Sequence, residues 1–162
     1  MSVKKKDRHI SKNDCLMQAR ELVKYILVLI RPREFDKDGK QIRKPGHLGE
    51  GQPLQAFGLD IFNCGKRLHG ACYQASKIYL HDEKTLHERA ELYQQAIEYC
   101  DSIFRLLDLC IYTYGETNKK KKNSFEHCAR LNLAVKRSIQ ERLNRDKMIY
   151  DHCYRTDRHY RR

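Results

Sequence analysis

The stretch from Glu83 to Thr113, EKTLHERAELYQQAIEYCDSIFRLLDLCIYT, holds neither proline nor glycine. Leu86, Ala90, Tyr93, Ala96, Cys100, Ile103, Leu107 and Cys110 recur every three or four positions along it. That period predicts one amphipathic helix, roughly 45 Å long at about 1.5 Å per residue. A rod of this length needs apolar partners of equal length, which limits the folds open to the chain.

Three further stretches carry the same period. Cys15, Ala19, Leu22, Val23, Ile26, Leu27 and Ile30 predict a helix over about 12–30. Ser11 and Asp14 stand at its start, and Arg31-Pro32 stops it. Leu54, Phe57, Ile61, Cys64, Leu68, Cys72 (or Ala71), Ala75 and Tyr79 predict a second over 54–80. Its Gly58, Gly65 and Gly70 imply close approach to a neighbour or a bend. The third helix covers 83–114, with Gly115 as a left-handed cap. Phe125, Cys128, Leu131, Val135, Ile139 and Leu143 predict a fourth over 124–150, capped by Ser124. The expected fold is all-α, an antiparallel up-down four-helix bundle occupying 11–150. A basic arm (1–10) precedes it and a basic, aromatic tail (151–162) follows.

The first connection, 31–53, holds all three prolines and four of the glycines and reads as a long polar loop. Its Asp36, Asp38 and Glu50 lack calcium-loop spacing. No run approaches the roughly 20 apolar residues of a membrane span. The opening MSVKKKDRH is not followed by a cleavable apolar core, so a cytoplasmic location is expected. Seven cysteines without a C-x-x-C pair read as reduced thiols set in apolar stripes.

Charge supplies the strongest functional signal. Lys and Arg number 33 against 21 Asp and Glu, for a net charge of +12, which favours polyanionic partners. The excess gathers at four places: Lys4, Lys5, Lys6 and Arg8; Lys119, Lys120, Lys121 and Lys122, read as a basic loop; Arg130, Arg137 and Arg145, opposite the fourth helix's apolar stripe; and the tail. In the tail Tyr154 and Tyr160 alternate with Arg155, Arg158, Arg161 and Arg162. Arginine there suits phosphates and tyrosine suits unpaired bases, so RNA or single-stranded nucleic acid is the expected ligand.

Ile97, Phe104 and Ile111, with Phe62, Tyr73 and Leu80 on the second helix, form an apolar seam offset from the main stripe. A broad core-facing surface and a subunit interface both account for it. The cost of exposing such rows favours the interface, hence a homo-oligomer.

Chemistry finds little support. His69 and Cys72, with His127 or Cys128, make a thin case for zinc. Glu88, Glu91, Glu98 and Asp101 suggest a magnesium-dependent nucleotide hydrolase only across a subunit interface. Cys100 and Cys110 lie far from the helix's His87, and phosphate-binding and dinucleotide fingerprints are absent. The expectation is a protein without a cofactor or catalytic residues.

The segments MSVKKKDRHISK with ARELVKYILVLI, GLDIFNCGKRLHGACYQAS, HERAELYQQAIEYCDSIFRLLDL and TDRHY together resemble the accessory variability determinant family of diversity-generating retroelements. The same superfamily includes bundle proteins encoded in ribosomal RNA intervening sequences. This resemblance implies a basic homo-oligomer, a pentameric barrel, that associates with a reverse transcriptase and with template RNA or complementary DNA. It would assist mutagenic reverse transcription without catalysing it, and it assigns no individual residue a role. The rival reading is a scaffold that docks a protein partner through the acidic third helix.

Overall fold

The computed structural model describes residues 14–155, without the side chains of Gln52, Tyr154 and Arg155. It contains four long helices: α1 (Cys15–Ile30), α2 (Gln52–Lys77), α3 (Glu83–Cys110) and α4 (Lys119–Tyr150). Each packs on its sequence neighbours and α1 closes against α4. No diagonal pair makes a close backbone approach among the described residues. The result is the expected up-down four-helix bundle, and no described helix is long and apolar enough to cross a membrane.

The periodic positions build its centre. Leu22, Ile26, Ile61, Leu68, Tyr93, Ile103, Leu107, Phe125, Val135 and Ile139 are buried together. The stripes are imperfect at their edges. Leu29 is buried where Leu27 was expected, and Tyr79 is 85% exposed because α2 ends at Lys77 and Ile78 turns extended. Gly58 and Gly65 lie against Ile30, Leu48 and Ile26, whereas Gly70 faces open space.

Helix ends follow local chemistry. Asp14 caps α1 by accepting from the Leu16 N–H, 3.0 Å away. Asp82 opens α3 with a reciprocal box: its Oδ1 accepts from the Thr85 N–H while its own N–H donates to Thr85 Oγ1. Gly115 is not a left-handed cap. Instead α3 runs into a π-helical turn, Ile111–Gly115, which Tyr114 fastens edge-on to Phe57. A second π-helical turn, Asp151–Arg155, prolongs α4 into the start of the expected tail.

The connection between α1 and α2 is ordered, contrary to a plain loop. Its centre is a hairpin of β1 (Glu34–Phe35) and β2 (Gln41–Arg43), antiparallel, with Ile42 as the extra residue of a bulge. Asp36 builds the turn by accepting from the Asp38 and Lys40 N–H groups, and Gly39 takes a φ of 76°. Beyond the hairpin the chain docks on the end of α1. Gly46 and Leu48 donate to the carbonyls of Arg31 and Leu29, satisfying acceptors that a helix end leaves open. A Cβ on Gly46 would fall inside contact distance of the Val28 and Leu29 carbonyls, so only glycine fits.

Candidate nucleic-acid interface

α4 begins five residues earlier than its apolar stripe suggests. Lys119, Lys120, Lys121 and Lys122 are its first turn and not a loop. Asn118 is the cap, accepting from the Lys120 and Lys121 N–H groups at 3.1 Å each. Ser124 lies inside the helix, where its hydroxyl donates to the Lys120 carbonyl and meets His47 Nδ1 at 2.8 Å. No acidic residue stands in the first turn. The loop supplies one instead: Glu50 lies 2.9 Å from Lys121.

Charges along α4 divide by direction. Lys136 pairs with Asp101 of α3, and Arg142 reaches Asp146. Arg130, Arg137 and Arg145 are exposed, with no carboxylate within ion-pair distance among the described residues. Arg130 and Arg137 are seven residues apart and so share one row of the helix, about 10 Å apart along the axis. Exposed Lys119, Lys120 and Lys122 extend this cationic area to the start of α4. The expected contacts Lys4, Lys5, Lys6, Arg8, Arg158, Tyr160, Arg161 and Arg162 lie outside the described residues, as do the side chains of Tyr154 and Arg155.

The apolar seam is largely used within the chain. Ile97 is a core residue, and Phe62 and Ile111 pack against the core. Phe104 and Leu80 are half-buried, leaving Tyr73 as the exposed member at 45%. Lys77 lies 5.1 Å from the Tyr73 ring and Lys66 lies 5.0 Å from that of Phe62.

One polar group of residues escaped sequence reading because its members lie far apart in the chain. Arg89 and Asp146 are 6% and 2% exposed, in the interface of α3 and α4. Arg89 Nε lies 2.9 Å from Asp146 Oδ2 and Arg142 Nε lies 3.2 Å from Oδ1. Neither Nε–H points along its contact, so the attraction is chiefly charge on charge. Burial pushes the Asp146 carboxyl up from its ordinary value, against the pull of Arg89, Arg142 and, less strongly, Arg145. Arg89 also donates to the Ile78 carbonyl and stands over the Tyr93 ring. Earlier in α4, Asn132 donates to the Cys100 carbonyl at 2.8 Å.

Beside the ion pair runs a groove of about 590 Å³, floored by Leu86, Ala90 and Leu143 and edged by Glu83 and Lys147. The chemical alternatives gain no geometry. Glu88 and Glu91 are engaged by Lys84 and His87 on their own helix, and Asp101 by Lys136. No group of three or more metal-ligating side chains converges among the described residues. Cys72 is a buried free thiol in the core with Cys15, and His127 packs edge-on to Tyr25. Burial raises the thiols of Cys100 to about 12 and Cys110 to about 11, the wrong direction for a thiolate nucleophile.

The fold thus defines the class, an all-α four-helix bundle. Compared with known proteins, the chain matches no family model, no curated protein and no solved structure.

Proposed function

We propose that this bundle is a noncatalytic nucleic-acid-binding protein that presents α4 to RNA or single-stranded DNA. The supporting observation is that Arg130, Arg137 and Arg145 are exposed with no ion-pair partner among the described residues, on a helix whose Lys121, Lys136 and Arg142 are turned to carboxylates. Three guanidiniums along one rod, continued by Lys119, Lys120 and Lys122, match a row of phosphates in charge and extent. In this reading the bundle serves as the accessory subunit of a diversity-generating retroelement. It acts in the cytoplasm beside a reverse transcriptase, on template RNA or complementary DNA, as a homo-oligomer such as a pentamer. Tyr73, with half-buried Phe62, Leu80, Phe104 and Ile111, would meet the neighbouring copy.

Titrating a labelled single-stranded RNA at several salt concentrations tests the binding. Several phosphate contacts predict an affinity loss on the order of a thousandfold between about 50 and 200 mM salt. Salt-insensitive binding, or no binding at the lowest salt, contradicts the proposal. Co-purification with a reverse transcriptase encoded beside it tests the finer reading, and light scattering tests the assembly.

A protein-docking role keeps one specific support, the groove between α3 and α4. Its apolar floor, edged by Glu83 and Lys147, suits an amphipathic segment. Capture of a partner that survives nuclease and high salt would favour that version.

A further inference from the structure

The hairpin of β1 and β2 holds two apolar side chains in solvent: Phe35 is 55% exposed and Ile42 is 63% exposed. A ribbon this short gains nothing for the core by carrying them. Its anchorage is nonetheless firm. The Arg31 guanidinium donates twice to the Lys44 carbonyl, at 3.1 and 3.3 Å, and the following Gly46–Gly49 segment is seated on the end of α1.

The ribbon's carboxylates are mostly engaged at home. Glu34 lies 3.5 Å from Arg43, and Asp36 accepts the backbone N–H groups of its own turn. Exposed Arg33, Lys37, Lys40 and Lys44 have no carboxylate within ion-pair distance among the described residues, and Asp38 is their exposed counter-charge. The segment is tied to the first turn of α4 by the His47–Ser124 and Glu50–Lys121 contacts. These contacts are made by residues that follow the hairpin, whose strands pair only with each other, so the ribbon's cations form a cluster of their own.

We propose that this ribbon is a second contact for single-stranded nucleic acid. Phe35 stacks on an unpaired base, while Arg33, Lys37, Lys40 and Lys44 hold the flanking phosphates. An aromatic ring among unpaired cations is the combination by which proteins hold single strands with little sequence preference. Ile42 adds apolar contact beside it. The inference rests on the nucleic-acid reading of α4, and it makes the ligand specifically one with unpaired bases.

The chain has no tryptophan, so Phe35→Trp installs a unique fluorophore at the proposed contact. The probes are an oligouridine strand and a blunt RNA duplex of equal length. Quenching of the introduced indole's emission by the single strand is expected at saturation. Phe35→Ala should weaken single-strand binding about five- to a hundredfold and duplex binding less than about twofold, since paired bases offer no face to stack on. Combined Arg130→Gln, Arg137→Gln and Arg145→Gln should weaken both. If the indole emission is unmoved and Phe35→Ala binds like wild type while the arginine variant binds poorly, the ribbon proposal is overturned and the α4 reading stands. If the wild type binds neither probe, both fall. Indole emission that responds only to an added protein also overturns the ribbon proposal. Phe35 is exposed, so its replacement leaves the core intact, as the far-ultraviolet helical signal should verify.

Discussion

α3 and α4 are neighbours of similar length, 28 and 32 residues, that share one core and carry opposite net charge. On α3 the outward carboxylates of Glu88 and Glu91 meet Lys84 and His87 one turn away, and Asp101 turns to Lys136. Such exposed pairs contribute little stability, and exposed Glu83, Glu98 and Asp108 have no cation within ion-pair distance among the described residues. On α4 the cations that have partners, Lys121, Lys136 and Arg142, are those turned toward the loop or the core. Arg130, Arg137 and Arg145 have none among the described residues. A net charge of +12 would say little if evenly spread. The proposed phosphate surface needs an excess gathered on one face, and on α4 Arg130, Arg137 and Arg145 share that face with Glu126 and Glu141.

The sharpest way to break this comparison uses arginines of both kinds. Asp146→Ala leaves Arg89 buried and unpaired, which should cost about 3–5 kcal/mol in denaturant unfolding. Arg137→Ala on the outer face should stay within about 0.5 kcal/mol. Equal penalties would mean that the buried Arg89 of α3 and the outer Arg137 of α4 do not differ as described. Next in size, Gly46→Ala forces a methyl group against the α1 carbonyls and should cost roughly 1–3 kcal/mol. Faster amide exchange at Leu48 should accompany it, while exchange in the middle of α3 stays slow.

The smallest effects sharpen the contrast between helix starts. Asn118→Ala should cost about 1 kcal/mol, the usual value of a neutral cap, with no dependence on pH across the carboxylate range. Asp82→Ala should behave differently. Hydrogen bonds from the Thr85 N–H and hydroxyl hold the Asp82 carboxyl below its ordinary value. Its stabilising effect is therefore complete above the unfolded-state value and fades as pH falls through the folded-state one. Unfolding curves of both variants from neutral to acid pH should show the Asp82 penalty shrinking and the Asn118 penalty constant.

The bundle was legible because its stripes repeat with the helical period, and Leu22, Ile61, Ile103 and Ile139 became core as their spacing required. The start of α4 was harder to see. Four lysines read as a solvated loop, yet lysine is a good helix former once Asn118 caps the turn. The hairpin carried a signal, Asp36 to Gly39 between Phe35 and Ile42, hidden inside a stretch dominated by proline and glycine. The docking of Gly46 depends on the shape of α1's end, which no local pattern encodes. Arg89 and Asp146 meet across 57 positions (146 − 89), and charged residues at their places read as ordinary polar flank. The exposed Arg130, Arg137 and Arg145 were found because they lie opposite a clear stripe. That Lys136 and Lys121 are neutralised required the fold.

The salt dependence of RNA binding by wild type and by the Arg130→Gln, Arg137→Gln, Arg145→Gln variant tests the central claim most directly. If these arginines each neutralise one phosphate, the slope of log affinity against log salt should be shallower in the variant by about 2, near 0.7 per single-strand contact. Parallel lines for the two proteins would show that the outer face of α4 does not touch the nucleic acid.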